Sequence, residues 1–98
     1  LLLPDTPPRN YVEAPQGYGA VVRLVGDVHE AFAAAHEYQS QGWAFIHPFD
    51  DPMVMAGQGT LGLEIVEDLP QVTDVFVSIG GGGLLGGTAT AILNFRGR

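Results

Sequence analysis

The chain has 98 residues, a formal net charge of −7 and a pI near 4.5. That length allows at most one small domain with a modest core, and an acidic balance without a basic patch argues against nucleic acid as a partner. The absence of cysteine removes a disulfide framework and any thiolate metal site. No apolar run approaches the ~20 residues of a membrane span, and Leu1–Leu3 is far too short for a signal peptide. The expectation is a soluble, cytoplasmic protein with no membrane partner.

Two features predict a piece of a longer protein. The chain begins inside an apolar run with no initiator methionine, and it contains no lysine, its basic residues being Arg9, Arg23, Arg96 and Arg98.

Taken in order, Leu1–Leu3 reads as the end of a strand. Pro4-Asp5-Thr6-Pro7-Pro8 turns the chain, with Thr6 placed to cap a helix whose first position is Pro7. That helix is expected to be short, because Pro15 would break it in its interior. Val21–Val25 is the next strand, ended by Gly26. Asp27 and Glu30 have capping-box spacing and predict a helix through about Ser40, closed by Gly42. Val28, Phe32 and Ala35 fall on one face of it, with His29, His36 and Glu37 on the solvated one. The two histidines share a face but have no third ligand beside them, so no metal site is predicted.

Trp43–Ile46 predicts a third strand, running into the loop His47–Pro52. Asp50 and Asp51 could be read as paired carboxylates. Adjacent residues point different ways, however, and Asp51-Pro52 is better explained as a helix cap followed by the first helical position. The helix continues to Leu69, where Pro70 stops it. Val75–Ile79 is a short apolar run rich in β-branched and aromatic residues, and reads as a buried strand. Leu84–Phe95 reads as a helix. Strands alternating with helices of this length make crossover units and a parallel sheet, so the fold class is α/β.

Between that last strand and helix lie Gly80, Gly81, Gly82 and Gly83. Four consecutive glycines cost about 0.5–1 kcal/mol each in ordered structure. They allow backbone N–H groups to converge as a nest where the helix presents its free amides and positive dipole end. The chemistry this favours is phosphate binding by backbone alone; the plainer alternative is a tight strand-to-helix turn. The pattern Gly-x-Gly-x-x-Gly does not decide between them, because it occurs both at Gly57-x-Gly59-x-x-Gly62 and at Gly81-x-Gly83-x-x-Gly86.

The stretch His47-Pro48-Phe49-Asp50-Asp51-Pro52-Met53-Val54-Met55-Ala56-Gly57-Gln58-Gly59-Thr60-Leu61-Gly62-Leu63-Glu64-Ile65, followed by Gly80-Gly81-Gly82-Gly83-Leu84, resembles the serine/threonine dehydratase group of fold-type II pyridoxal phosphate enzymes. Leu3–Asn10 and Gly17-Tyr18-Gly19-Ala20 also resemble segments of that group, within which threonine dehydratase and serine racemase are the most similar members. The resemblance implies a tryptophan synthase β-like fold. About 1–52 would come from the smaller domain and about 53–98 would enter the larger one. It implies pyridoxal 5'-phosphate as cofactor, held at its phosphate by Gly80, Gly81, Gly82, Gly83 and the Leu84 amide, and it brings the Phe49 loop close to the cofactor. Gln58 and Thr60 are expected to fix the loop and helix start. The implied reaction is β-elimination of a small hydroxy amino acid to a 2-oxo acid and ammonia, in a full-length homo-oligomer. The family binds its cofactor through a lysine in an S-F-K-x-R-G type motif, which this chain does not contain. It carries the phosphate anchor and no catalytic residue of its own. A serine racemase-type isomerase and a non-catalytic phosphate- or nucleotide-binding module are the alternative readings.

Overall fold

A computed structural model describes residues 1–97 and divides the chain into two compact units, Leu1–Phe45 and Ile46 onwards. In the first unit, β1 (Leu2–Leu3) and β2 (Arg23–Leu24) pair in parallel, Leu2 opposite Arg23 and Leu3 opposite Leu24. Backbone bonds continue the pairing outward: Arg23 N–H donates to Leu1 O at 2.9 Å, Val25 N–H to Leu3 O at 2.7 Å and Asp5 N–H to Gly26 O at 2.8 Å.

Between the strands lies α1 (Arg9–Gly17), whose start and course depart from the sequence expectation. Its N-cap is Pro8 with no side-chain cap, and Thr6 takes a φ of +64° with its hydroxyl donating to Asp5 O. A helix cannot begin at Pro7, because a residue preceding proline is pushed out of the α region and Pro8 follows. Nor does Pro15 break the helix; it lies in the last turn. There its missing N–H costs only a partner for the carbonyl of Tyr11, an exposed residue, where water can serve. The carbonyl of Pro15 then accepts from Ala20 N–H at 3.0 Å and that of Gln16 from Gly19 N–H at 2.9 Å, a Schellman closure with Gly19 at φ +87°.

The second helix of this unit, α2 (Val28–Ser40), follows the sequence reading. Asp27 Oδ1 accepts from Glu30 N–H at 2.9 Å and Glu30 Oε2 from Asp27 N–H at 3.3 Å, completing the capping box. Gly42 at φ +97° closes the helix in the same Schellman pattern, with Trp43 N–H donating to Tyr38 O. The helix packs on β1. Ala31 is its buried residue, Phe32 is half-buried and Val28 is half-exposed. His36 is not simply solvated: its ring meets Phe45 edge-on at 5.3 Å.

The expected strands at 43–46 and 75–79 have no ladder partner among the described residues. A strand is defined by its neighbour's backbone. Without one, Trp43–Ile46 is placed by its rings instead, Phe45 against Phe32 at 6.3 Å and Trp43 against Tyr38 at 6.0 Å. The stretch 75–79 keeps Phe76 97% exposed although its composition suits a buried strand.

The second unit is built on two helices, α3 (Pro52–Asp68) and α4 (Gly83–Arg96). Asp51 Oδ1 accepts from Met53 N–H at 2.7 Å and Val54 N–H at 3.2 Å, with Pro52 at the first helical position, so the capping explanation of this aspartate holds. The helices touch backbone to backbone. A Cβ on Gly62 would lie 2.5 Å from Thr88 O, and one on Gly87 would lie 2.2 Å from Met55 O. Gly59, Gly62 and Gly87 are all buried at this contact, with Val66 and Thr88 beside them at 2% and 1% exposure. The buried Thr88 hydroxyl is satisfied across the contact by Gln58 O at 3.4 Å. Gln58 and Thr60 therefore lie within α3 and not at its start, and the Thr60 hydroxyl donates back to Gly57 O at 2.8 Å. At the far end of α4, the Arg96 guanidinium donates to the carbonyls of Val72 and Pro70, tying the chain that leads to the glycine loop back to the helix that follows it.

Candidate functional site

The structure brings Gly80, Gly81, Gly82, Gly83 and Leu84 together at the N-terminus of α4. Gly82 is the N-cap residue, at φ +94° and ψ −4°, a left-handed conformation that glycine adopts freely and L side chains resist. The helix starts at Gly83, one residue before the sequence reading, and its first ladder bond runs from Gly86 N–H to Gly82 O at 2.8 Å. The amides of Gly83, Leu84 and Leu85 thus precede the intrahelical ladder. No side chain caps them, and no acidic residue occupies the first turn.

An α-helix with an uncapped first turn leaves donors and the positive end of its dipole for an anion. The four glycines differ in what surrounds them. A Cβ on Gly80 or Gly82 would meet no atom within 4 Å, whereas Gly83 is buried. Gly80 is the informative one: neither a positive φ nor a neighbouring atom requires glycine there. A residue that the fold itself leaves free of constraint is accounted for if a bound group occupies the adjacent space.

The His47–Pro52 loop comes to the same place. Phe49 lies directly against Gly81 and Gly83, a contact with the glycine loop that the sequence reading did not name. Sequence reasoning missed His47, whose Nδ1 accepts the amides of Phe49 and Asp50; the signal available was a histidine two residues before an aromatic at a loop tip. Residues of the first unit that could have borne chemistry form no cluster of three or more histidines and carboxylates, and none occurs among the described residues.

The phosphate of pyridoxal phosphate fits this geometry. It needs amide donors, a backbone without Cβ at the point of approach and a favourable dipole; the start of α4 has uncapped amides and open space at Gly80 and Gly82. The chemistry that follows on the cofactor ring requires groups other than these amides.

Comparison with known proteins bears on the same residues. The family model described as pyridoxal-phosphate dependent enzyme matches residues 1–98. An L-threonine ammonia-lyase of Geobacter sulfurreducens is 52% identical over 94 residues, covering 94% of this chain and 23% of that protein. A catabolic L-threonine dehydratase of Staphylococcus aureus is 44% identical over 98 residues, covering 98% of this chain and 28% of that protein. Maize serine racemase superposes with a TM-score of 0.88 at 28% identity, over 98% of this chain and 30% of that one. The chain therefore spans roughly a quarter of the length of the relatives it matches, 23% and 28% in the two cases given. No helix among the described residues is long and apolar enough to cross a membrane.

Proposed function

The chain belongs to the pyridoxal-phosphate dependent enzyme family, with the α/β architecture of its fold-type II members, and we propose that it serves within a full-length threonine/serine ammonia-lyase as the anchor for the cofactor's phosphate. The observation that carries this reading is the uncapped, left-handed glycine turn at α4, open at Gly80 and Gly82. In this reading Gly80–Gly83 and the Leu84 amide hold the phosphate, and about residues 1–52 belong to the smaller of two domains, with about 53–98 entering the larger. Identity of 52% to a protein named L-threonine ammonia-lyase supports the substrate class.

When bound, pyridoxal phosphate supplies an electron sink that makes the substrate Cα–H acidic. The contribution of these residues is to bind and orient. Amides fixed in a helix start need no reorganisation to meet a phosphate, and the dipole of α4 favours the dianion. None of the 98 residues is assigned a proton transfer, the chain having no lysine. The test is release of 2-oxobutyrate from L-threonine by the full-length protein supplied with cofactor. Absence of any product from L-threonine or L-serine would overturn the assignment.

The likeness to maize serine racemase favours a second reading, an isomerase of the same fold. Chiral analysis after incubation with L-serine separates the two: D-serine without pyruvate supports the isomerase, pyruvate without D-serine the lyase.

A further inference from the structure

We propose that Phe49 is a positioning residue for the phosphate loop and that His47 holds Phe49 in that role. The inference rests on the phosphate-site reading above. It starts from the unequal surroundings of the four glycines. A Cβ on Gly81 would lie 2.2 Å from Cγ and Cδ1 of the Phe49 ring, and one on Gly83 would lie 3.0–3.1 Å from the Cβ, Cα and O of the same residue. At Gly80 and Gly82 the corresponding positions are open. The loop therefore alternates, its odd members set by Phe49 and its even members by conformation or by what binds there. Gly81 lacks a side chain because the phenyl ring occupies that volume.

The ring is itself held. His47 Nδ1 accepts from Phe49 N–H at 3.2 Å and from Asp50 N–H at 2.8 Å, fixing the turn that carries Phe49. The two rings meet edge-on, centroids 4.6 Å apart at 87°, a favourable aromatic geometry. One residue further on, Asp51 caps α3, so the turn is anchored at both ends. A four-glycine segment has little intrinsic stiffness. Packing against a held ring restricts it to the shape in which its amides converge.

Phosphate affinity in the full-length protein should then depend on Phe49 and His47, neither of which donates to the phosphate. The experiment titrates the apo-protein with pyridoxal phosphate and, separately, with pyridoxal, which lacks the phosphate, following ligand absorbance. The variants are Phe49→Ala, Gly81→Ala, their double, His47→Ala, His47→Asn and Gly82→Asp, each checked for fold by circular dichroism. Phe49→Ala and Gly81→Ala should each weaken pyridoxal phosphate roughly tenfold, as expected for losing a charge-assisted amide contact. The double variant should be no weaker than Phe49→Ala alone, because the new methyl enters the vacated space. Pyridoxal affinity should hold within about twofold in all of these.

His47→Ala should behave like Phe49→Ala, while His47→Asn should restore affinity, because an asparagine oxygen accepts the same two amides in an Asx turn. Should Phe49→Ala not fold, Phe49→Leu enters the same cycle. Additive losses in the double variant, equal losses for the two ligands, or parent-like affinity in His47→Ala would each overturn the proposal. Gly82→Asp separates the two levels. If it binds pyridoxal phosphate like the parent, the phosphate-site reading itself fails. If it weakens binding while Phe49→Ala does not, only the role of Phe49 and His47 fails.

Discussion

Two sets of glycines in the second unit carry the same sequence pattern in different settings. Gly57-x-Gly59-x-x-Gly62 lies wholly inside α3, where Gly59 and Gly62 let α4 approach until backbone meets backbone. Gly81-x-Gly83-x-x-Gly86 straddles the entry to α4, with Gly82 left-handed between its first two members. In the first set Gly59 and Gly62 have backbone of α4 where their side chains would lie, and the two helices pack there, while Gly57 faces open space. In the second Phe49 fills the space beside Gly81 and Gly83, and the open positions are Gly82 between them and Gly80 before them, where the proposed phosphate would approach. The pattern reports only that Cβ atoms are absent; what fills the gap decides the function.

The sharpest test of that contrast asks whether the loop holds without reacting. The 98-residue chain alone should release no 2-oxo acid from L-threonine or L-serine above the rate of free pyridoxal phosphate, since it has no lysine to hold the cofactor covalently. Coupled reduction of product, monitored at the nicotinamide absorbance, reads this directly. Turnover above the free-cofactor rate would place a catalytic base among these residues and undo the division between anchor and base.

Next in size is Gly82→Asp in the full-length protein. A side chain at φ +94° is strained by about 1–2 kcal/mol, and a carboxylate beside a dianionic phosphate adds repulsion to a lost amide contact. Together these should raise the dissociation constant for pyridoxal phosphate about a hundredfold, with the circular dichroism spectrum retained. Cofactor uptake as tight as the parent's in a folded variant would make the glycines a turn and nothing more.

The packing glycines should respond in the other currency. At Gly87 a methyl would meet Met55 O at 2.2 Å and Gly59 N at 2.9 Å, and backbone atoms on a second helix cannot swing aside as a side chain could. Alanine gains up to about 1 kcal/mol of helix propensity over glycine, but overpacking at this distance costs about 3 kcal/mol, so the clash wins. Gly87→Ala should lower the midpoint of urea unfolding without altering the affinity per folded molecule.

How much of this was legible beforehand follows from the range of the forces involved. Asp27 with Glu30, and Asp51 with Pro52, announce helix starts because the partners lie within three residues of one another. Gly42 announces a helix end for the same reason, and the glycine run places a loop directly before α4. Thr6 and Pro15 misled because each was read alone. Pro8 governs Pro7, and the nearness of the helix end at Gly17 makes Pro15 tolerable. Val75–Ile79 has the composition of a strand, but composition does not name the neighbour whose backbone would make it one. Likewise the contact of Phe49 with Gly81 spans 32 positions, and nothing local to either residue encodes it. Family resemblance placed that loop near the cofactor; its fit against Gly81 and the contacts of His47 came from the structure.

The smallest effect tests the contrast from within one helix. Gly57 shares α3 with Gly59 and Gly62, yet a Cβ built on it meets nothing within 4 Å. If glycine in this helix matters only where α4 presses against it, Gly57 is merely a poor helix former at an exposed interior position. Gly57→Ala should then stabilise, by about 0.4–1 kcal/mol, mainly through lost freedom in the unfolded chain. For a protein of ordinary size that is a rise of a few degrees at most in the thermal midpoint, measurable by calorimetry of parent and variant side by side. Gly59→Ala supplies the contrast, since its methyl would crowd Gly87 O at 3.1 Å and should cancel or reverse the gain. A loss of stability in Gly57→Ala equal to that in Gly59→Ala would show that the position is pressed by a segment outside this chain, and that the face of α3 left open in the described residues is covered in the whole protein.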